Sequence, residues 1–135
     1  MRAVVTENSN APVPFRNNLV VLRGVLGTSL STRETPAGPV CDATLRVQSD
    51  LDGKSQLEQV PLAWTGGVDR FPGLQVSAEL VVVGRVRQRF FRSGARTVSR
   101  TEVVVEHVAP TNRRTSTKKL FAPLTDDLAT MTERR

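Results

Sequence analysis

Three arginines stand at alternate positions of one stretch, VVVGRVRQRFF: Arg85, Arg87 and Arg89, with Phe91 next in the same series. In an extended strand, alternate residues point the same way and lie about 7 Å apart. A row of guanidinium groups ending in an aromatic ring suits a single strand of nucleic acid. Phosphates pair with the cations, and a base stacks on the ring for about 1–3 kcal/mol. Arg92, Arg96 and Arg100 follow within and after the next turn and would extend the same positive field. The alternative is a solvated strand face whose arginines pair with Glu102, Glu106 or a neighbouring subunit.

The remaining reactive side chains are scattered. Trp64 could stack a base, but it shares its parity with Val60 and Leu62, which favours a place in the core. Cys41 alternates with apolar positions and reads as a small buried hydrophobe. His107 has no partner in view and reads as an ordinary strand residue. Asp126 and Asp127 match no metal pattern. One cysteine and one histidine exclude an internal disulfide and a Cys/His zinc site, and no cofactor is expected. Nucleophile elbow, P-loop and dinucleotide loop are all missing, so an enzyme is not expected.

The elements that must position the arginines are strands. Residues 17–28, NNLVVLRGVLGT, are rich in β-branched residues and end in glycines. ETPAGP at 34–39 signals a turn. In VCDATLRV at 40–47, Cys41, Ala43, Leu45 and Val47 share one face, and Asp42, Thr44 and Arg46 the other. Asp52-Gly53 marks a hairpin tip. LEQVPLAW at 57–64 is a strand whose Pro61 points to a sheet edge or a bulge. Residues 65–78 hold too much glycine and proline for a helix of any length. Residues 79–91 alternate Leu80, Val82, Gly84, Val86, Gln88 and Phe90 against Val81, Val83 and the arginine row. RSGAR at 92–96 turns the chain, and 96–108 returns as the last strand. Five strands with little helix predict an all-β fold, a small closed barrel or sandwich.

One domain accounts for the 135 residues. Residues 1–16, with Pro12 and Pro14, read as a flexible N-terminal arm. Residues 17–111 form the barrel domain, and 112–135 a basic tail. Leu120, Leu124, Leu128 and Met131 are spaced for a short amphipathic helix with Pro123 near its start. A weakly structured end is the simpler reading for so short a stretch. No apolar run reaches the roughly 20 residues of a membrane span, and no secretory leader is visible, so the cytoplasm is the expected compartment.

The net charge is +6, from 19 Lys and Arg against 13 Asp and Glu. It is concentrated late. Residues 17–78 carry five bases and six acids, whereas 79–111 carry six arginines and three glutamates. An arginine-rich late segment points to nucleic acid as a partner; an unspecialised basic surface is the plainer alternative.

Four stretches in order resemble the bacterial single-stranded DNA-binding protein (SSB) family: NNLVVLRGVLG, RETPAGPVCDATLRV, VVVGRVRQRFF and SRTEVVV. They follow its first strand, its R-x-x-P-x-G turn and second strand, its G-x-L-R-x-R-x-W strand and its T-T-E-V-V-V strand. The resemblance covers about residues 17–110. It implies a five-stranded OB-fold barrel, assembled as a homo-oligomer (tetramer or dimer), that binds single-stranded DNA without sequence preference in replication, repair or recombination. Phe91 falls on the family's stacking tryptophan, and Arg87 and Arg89 on two basic positions. Leu51 and Leu57 stand near two further stacking tryptophans, and Ala63 or Trp64 near a phenylalanine. The helix between the third and fourth strands is replaced by 65–78, and the acidic tip is missing. Two or three lost rings would weaken binding by several kcal/mol. The alternative function is an OB-fold protein-interaction module of primosomal type, with weak or no binding to single-stranded DNA.

Overall fold

Alternation of period two carries most of the chain into strands, and the turns fall where glycine, proline and aspartate stand. The computed structural model describes residues 17–27, 30–71, 74–112 and 114–131. Its strands are β1 (Val20–Leu26), β2 (Ser31–Thr35), β3 (Gly38–Leu51), β4 (Lys54–Thr65), β5 (Glu79–Ser93) and β6 (Arg96–Pro110), followed by helix α1 (Arg114–Met131). The expected flexible arm, residues 1–16, lies outside the described residues.

The strands run in the order β1-β5-β6-β4-β3-β2. β1 also pairs with β3, at Val25–Arg46 and Leu26–Leu45, and so closes the sheet on itself. Five staves form the OB-fold barrel that the sequence predicts. β2 is an addition: it pairs with β3 alone and hangs outside the barrel wall. The ETPAGP turn is tight enough to make this hairpin, with the Thr35 hydroxyl donating to the Gly38 carbonyl at 2.7 Å. At the next tip Asp52 and Gly53 both take positive φ, 54° and 76°, as a two-residue hairpin turn demands.

Two glycines let the barrel close. A Cβ on Gly24 would strike the Arg46 carbonyl where β1 crosses toward β3. One on Gly84 would strike the Val104 carbonyl, beside the irregularity in the β5–β6 register at Val83/Gly84. The interior is filled by Leu26, Cys41, Leu45, Leu62, Trp64 and Val82 with their neighbours, drawn from all five staves.

β4 and β6 pair in parallel at only two positions, Leu62–Val103 and Ala63–Val104. Upstream of that seam both strands leave the barrel through the same end. Each remains paired with its hairpin partner, β4 with β3 as far as Leu51–Lys54 and β6 with β5 as far as Ser93–Arg96. Two ribbons therefore project together, the β5–β6 one about 25 Å long at 3.3 Å per residue and the β3–β4 one shorter. β3 and β4 are longer than the sequence predicts because pairing continues past the last core residue, whereas β1 is shorter. Pro61 fits its expected edge position, for β4 has only one pairing partner there.

Among the described residues of 65–78 there is one 3-10 turn, Val68–Arg70, and no longer helix. The C-terminal segment departs from the simpler expectation. Residues 114–131 are helical, and Pro123 lies inside the helix, not near its start. Tertiary packing explains this: α1 lies against β6 and buries Leu124, while Leu120 and Met131 are half-buried and Leu128 stays exposed. Among the described residues, no helix is long and apolar enough to cross a membrane.

Candidate nucleic-acid interface

The predicted arginine row lies on the β5–β6 ribbon. Arg85, Arg87, Arg89 and Phe91 share its outer face, opposite Val104, Glu102, Arg100 and Val98 in register. Asn18 secures the ribbon's base: its side-chain amide donates to the Val86 carbonyl and its oxygen accepts the Val86 N–H, both at 2.8 Å. That clamp spans 68 positions and has no signal in the sequence.

Three of the arginines are already paired. Arg85 Nη1 donates to Glu106 Oε2 at 3.2 Å. Arg87 Nη2 donates to Glu102 Oε2 at 2.5 Å, and Arg89 Nε to Glu102 Oε1 at 3.4 Å. Glu102 is only 1% exposed, so each of its oxygens is committed to one guanidinium in a poorly hydrated site. These are the glutamates that the sequence offers as the arginines' alternative partners. Both roles coexist in geometry, because a guanidinium has five N–H donors and these side chains remain partly exposed.

Arg92, Arg96 and Arg100 make no ion pair among the described residues. Arg100 sits directly across from Arg89, which sets two like charges side by side and makes the ribbon a strong attractor for anions. Phe91 is 37% exposed, and the Arg89 guanidinium lies 5.1 Å from its ring centre. One side of that ring therefore carries a cation, a geometry that polarises it but narrows the approach of a base.

Trp64, a candidate stacking residue, belongs to the core instead. It is 1% exposed, its Nε1 donates to the Gly67 carbonyl at 2.8 Å, and Phe71 meets it edge-on at 5.4 Å. No face of its indole is open to a base. Leu51 and Leu57, near two family ring positions, are both largely exposed on the β3–β4 ribbon. Their pairing with Lys54 and Gln48 puts them on opposite faces. Cys41 is buried as expected, and burial, with Asp42 nearby, raises its thiol above the ordinary range, so a neutral thiol is favoured.

A feature that the sequence reading missed is a groove of about 360 Å³ on the outside of the barrel. Arg23, Val25, Arg46, Gln48, Leu57 and Glu79 are among the residues that line it. Arg46 makes no ion pair among the described residues. The alternation at 40–47 put this arginine on the outer face, but nothing in the sequence showed that β1 and β4 would wall it in. Among the described residues no cluster of His, Cys, Asp and Glu could hold a metal ion.

No family model matches the sequence, and no curated protein matches it. Solved structures do match. The small single-stranded DNA-binding protein from Streptomyces coelicolor superposes with a TM-score of 0.56 at 15% identity, over 73% of this chain and 97% of that one. The Plasmodium falciparum SSB, in complex with single-stranded DNA, superposes with a TM-score of 0.58 at 15% identity, over 73% and 98%. The chain has their fold. The barrel expected from four short sequence stretches is thus found in full.

Proposed function

We propose that this chain binds single-stranded DNA without sequence preference, using phosphate contacts from the arginines of the β5–β6 ribbon and stacking on Phe91. One observation carries the reading: six arginines and the exposed Phe91 stand on one hairpin that projects from an OB barrel. Two glutamates on β6 offset part of that charge, which leaves the ribbon clearly positive. The Plasmodium structure that shares the fold is a complex with single-stranded DNA, which supports the same ligand here. Such a protein would work in replication, repair or recombination, in the cytoplasm, as a homo-oligomer.

The pairing of Arg85, Arg87 and Arg89 with Glu106 and Glu102 favours a second reading, in which the ribbon is a rigid surface for an acidic protein. Titration of a labelled oligo-dT by fluorescence anisotropy separates the two. Binding is expected to saturate and to weaken with salt, by about 0.7 log units per log unit of salt for each phosphate neutralised. Phe91→Ala is expected to lower affinity for every base composition, by roughly 5- to 150-fold. No binding at low salt by folded protein would sink the DNA reading and leave the protein-partner one.

A further inference from the structure

The β5–β6 ribbon has a second face. Its inner side continues the barrel's interior wall: after Val82 come Val86, Gln88, Phe90 and Arg92 on β5, opposite Val103, Thr101, Ser99 and Thr97 on β6. Beyond Val86 that face has left the core, yet Phe90 stands on it 64% exposed. Its ring is therefore more open than that of Phe91, and no cation or second ring lies over it among the described residues.

The two faces repeat one arrangement. On the outer face Arg89 and Phe91 are two positions apart; on the inner face Phe90 and Arg92 are. Each pair attaches a flat ring and a guanidinium at strand positions about 7 Å apart on the same side, the elements needed for one base and one phosphate. The pairs differ in availability. Arg89 is bonded to Glu102 and lies against Phe91, whereas Arg92 makes no ion pair among the described residues. The other inner-face neighbours of Phe90, namely Gln88, Ser99 and Thr101, are uncharged and can hydrogen-bond to base edges.

Resting on the DNA reading above, we propose that Phe90 and Arg92 form a second nucleotide-binding pair, so that a single strand is gripped on both faces of the ribbon. The occupant is a nucleobase with its phosphate and not an apolar protein surface, because the ring is flanked by neutral polar groups and by an arginine without an ion pair among the described residues, with Arg96 on the other face of the same tip.

The test compares the parent protein with Phe90→Ala, Phe91→Ala and Arg92→Gln on oligo-dT and on an abasic strand of equal length. Phe90→Ala is expected to weaken oligo-dT binding by roughly 5- to 150-fold and to leave abasic binding nearly unchanged. Arg92→Gln is expected to weaken both strands and to flatten the salt dependence by about 0.7. If Phe90→Ala leaves oligo-dT binding unchanged while Phe91→Ala weakens it, the inner-face pair is wrong and the DNA reading stands. Equal losses on both strands, or a fall in oligomer mass by light scattering, would also overturn it, as they would place Phe90 in folding or self-association. If the parent binds no oligo-dT at low salt, both readings fall together.

Discussion

Glu102 sets two properties of the molecule against each other, and Glu102→Gln should move them in opposite directions. The carboxylate is buried and takes one guanidinium on each oxygen. An amide of the same shape turns one of those oxygens into a donor, which then faces another donor. Removing one partner of a fully buried ion pair costs about 3–5 kcal/mol. Here the Arg87 and Arg89 side chains keep 40% and 26% of their surface in water, which brings the expected loss to about 1–3 kcal/mol. Urea unfolding, followed through the buried Trp64, should show a midpoint lower by about 1 M. Single-stranded DNA should respond the other way. Losing one negative charge frees two cations, so the salt dependence of oligo-dT binding should steepen by as much as about 1.4, with tighter binding at low salt. Loss of stability with an unchanged salt slope would mean that Arg87 and Arg89 gain no phosphate contact when Glu102 loses its charge. An unchanged midpoint would mean that the ion pairs restrain nothing.

Gly84→Ala should destabilise the barrel by about 1–3 kcal/mol, because the new methyl group meets the Val104 backbone; chemical denaturation reads this directly. Leu124→Ala should cost about 2–5 kcal/mol as its buried side chain is lost from the α1 contact, while Leu128→Ala, on an exposed position, should stay within about 0.5 kcal/mol. Glu79 is held below the ordinary carboxylate range, chiefly by the Thr111 hydroxyl at 2.8 Å and then by Arg23. A lowered folded-state value contributes stability that is complete above the unfolded-state value and is lost as pH falls through the folded one. Thr111→Val should therefore raise the Glu79 midpoint in a carboxyl NMR titration, and its share of the acid-induced loss should become smaller and be complete at a higher pH.

Much of the barrel was legible because period-two alternation is local. Cys41 to Val47 and Leu80 to Phe90 displayed their faces in the order of their residues, and Asp52-Gly53 and Pro61 marked a turn and an edge. What stayed hidden depended on partners far along the chain. β2 is a strand only because β3 offers it an edge. The helix at 114–131 is held by Leu124 against the barrel, whereas the shortness of the stretch argued the other way. The arginine row could be read, and so could Glu102 as a possible partner. That one carboxylate holds two arginines follows from the β5–β6 register, which an irregularity beside Gly84 offsets. Phe90 could be read as sharing a face with Leu80 and Val82, but only the length of the ribbon beyond the core takes it into the open.

The narrow seam between β4 and β6 has a kinetic meaning. The two long hairpins are built from contacts close in sequence, whereas Leu62 and Val103 must find each other across about 40 positions. Hairpins of this kind form early, and closure of the barrel is the late, slow event that sets the folding rate. In reverse, the seam can part while both hairpins stay whole. A ligand that touches both ribbons straddles that seam and acts as a clasp on it. Occupancy by such a ligand would be read as slower exchange of the Val103 and Val104 amides with solvent.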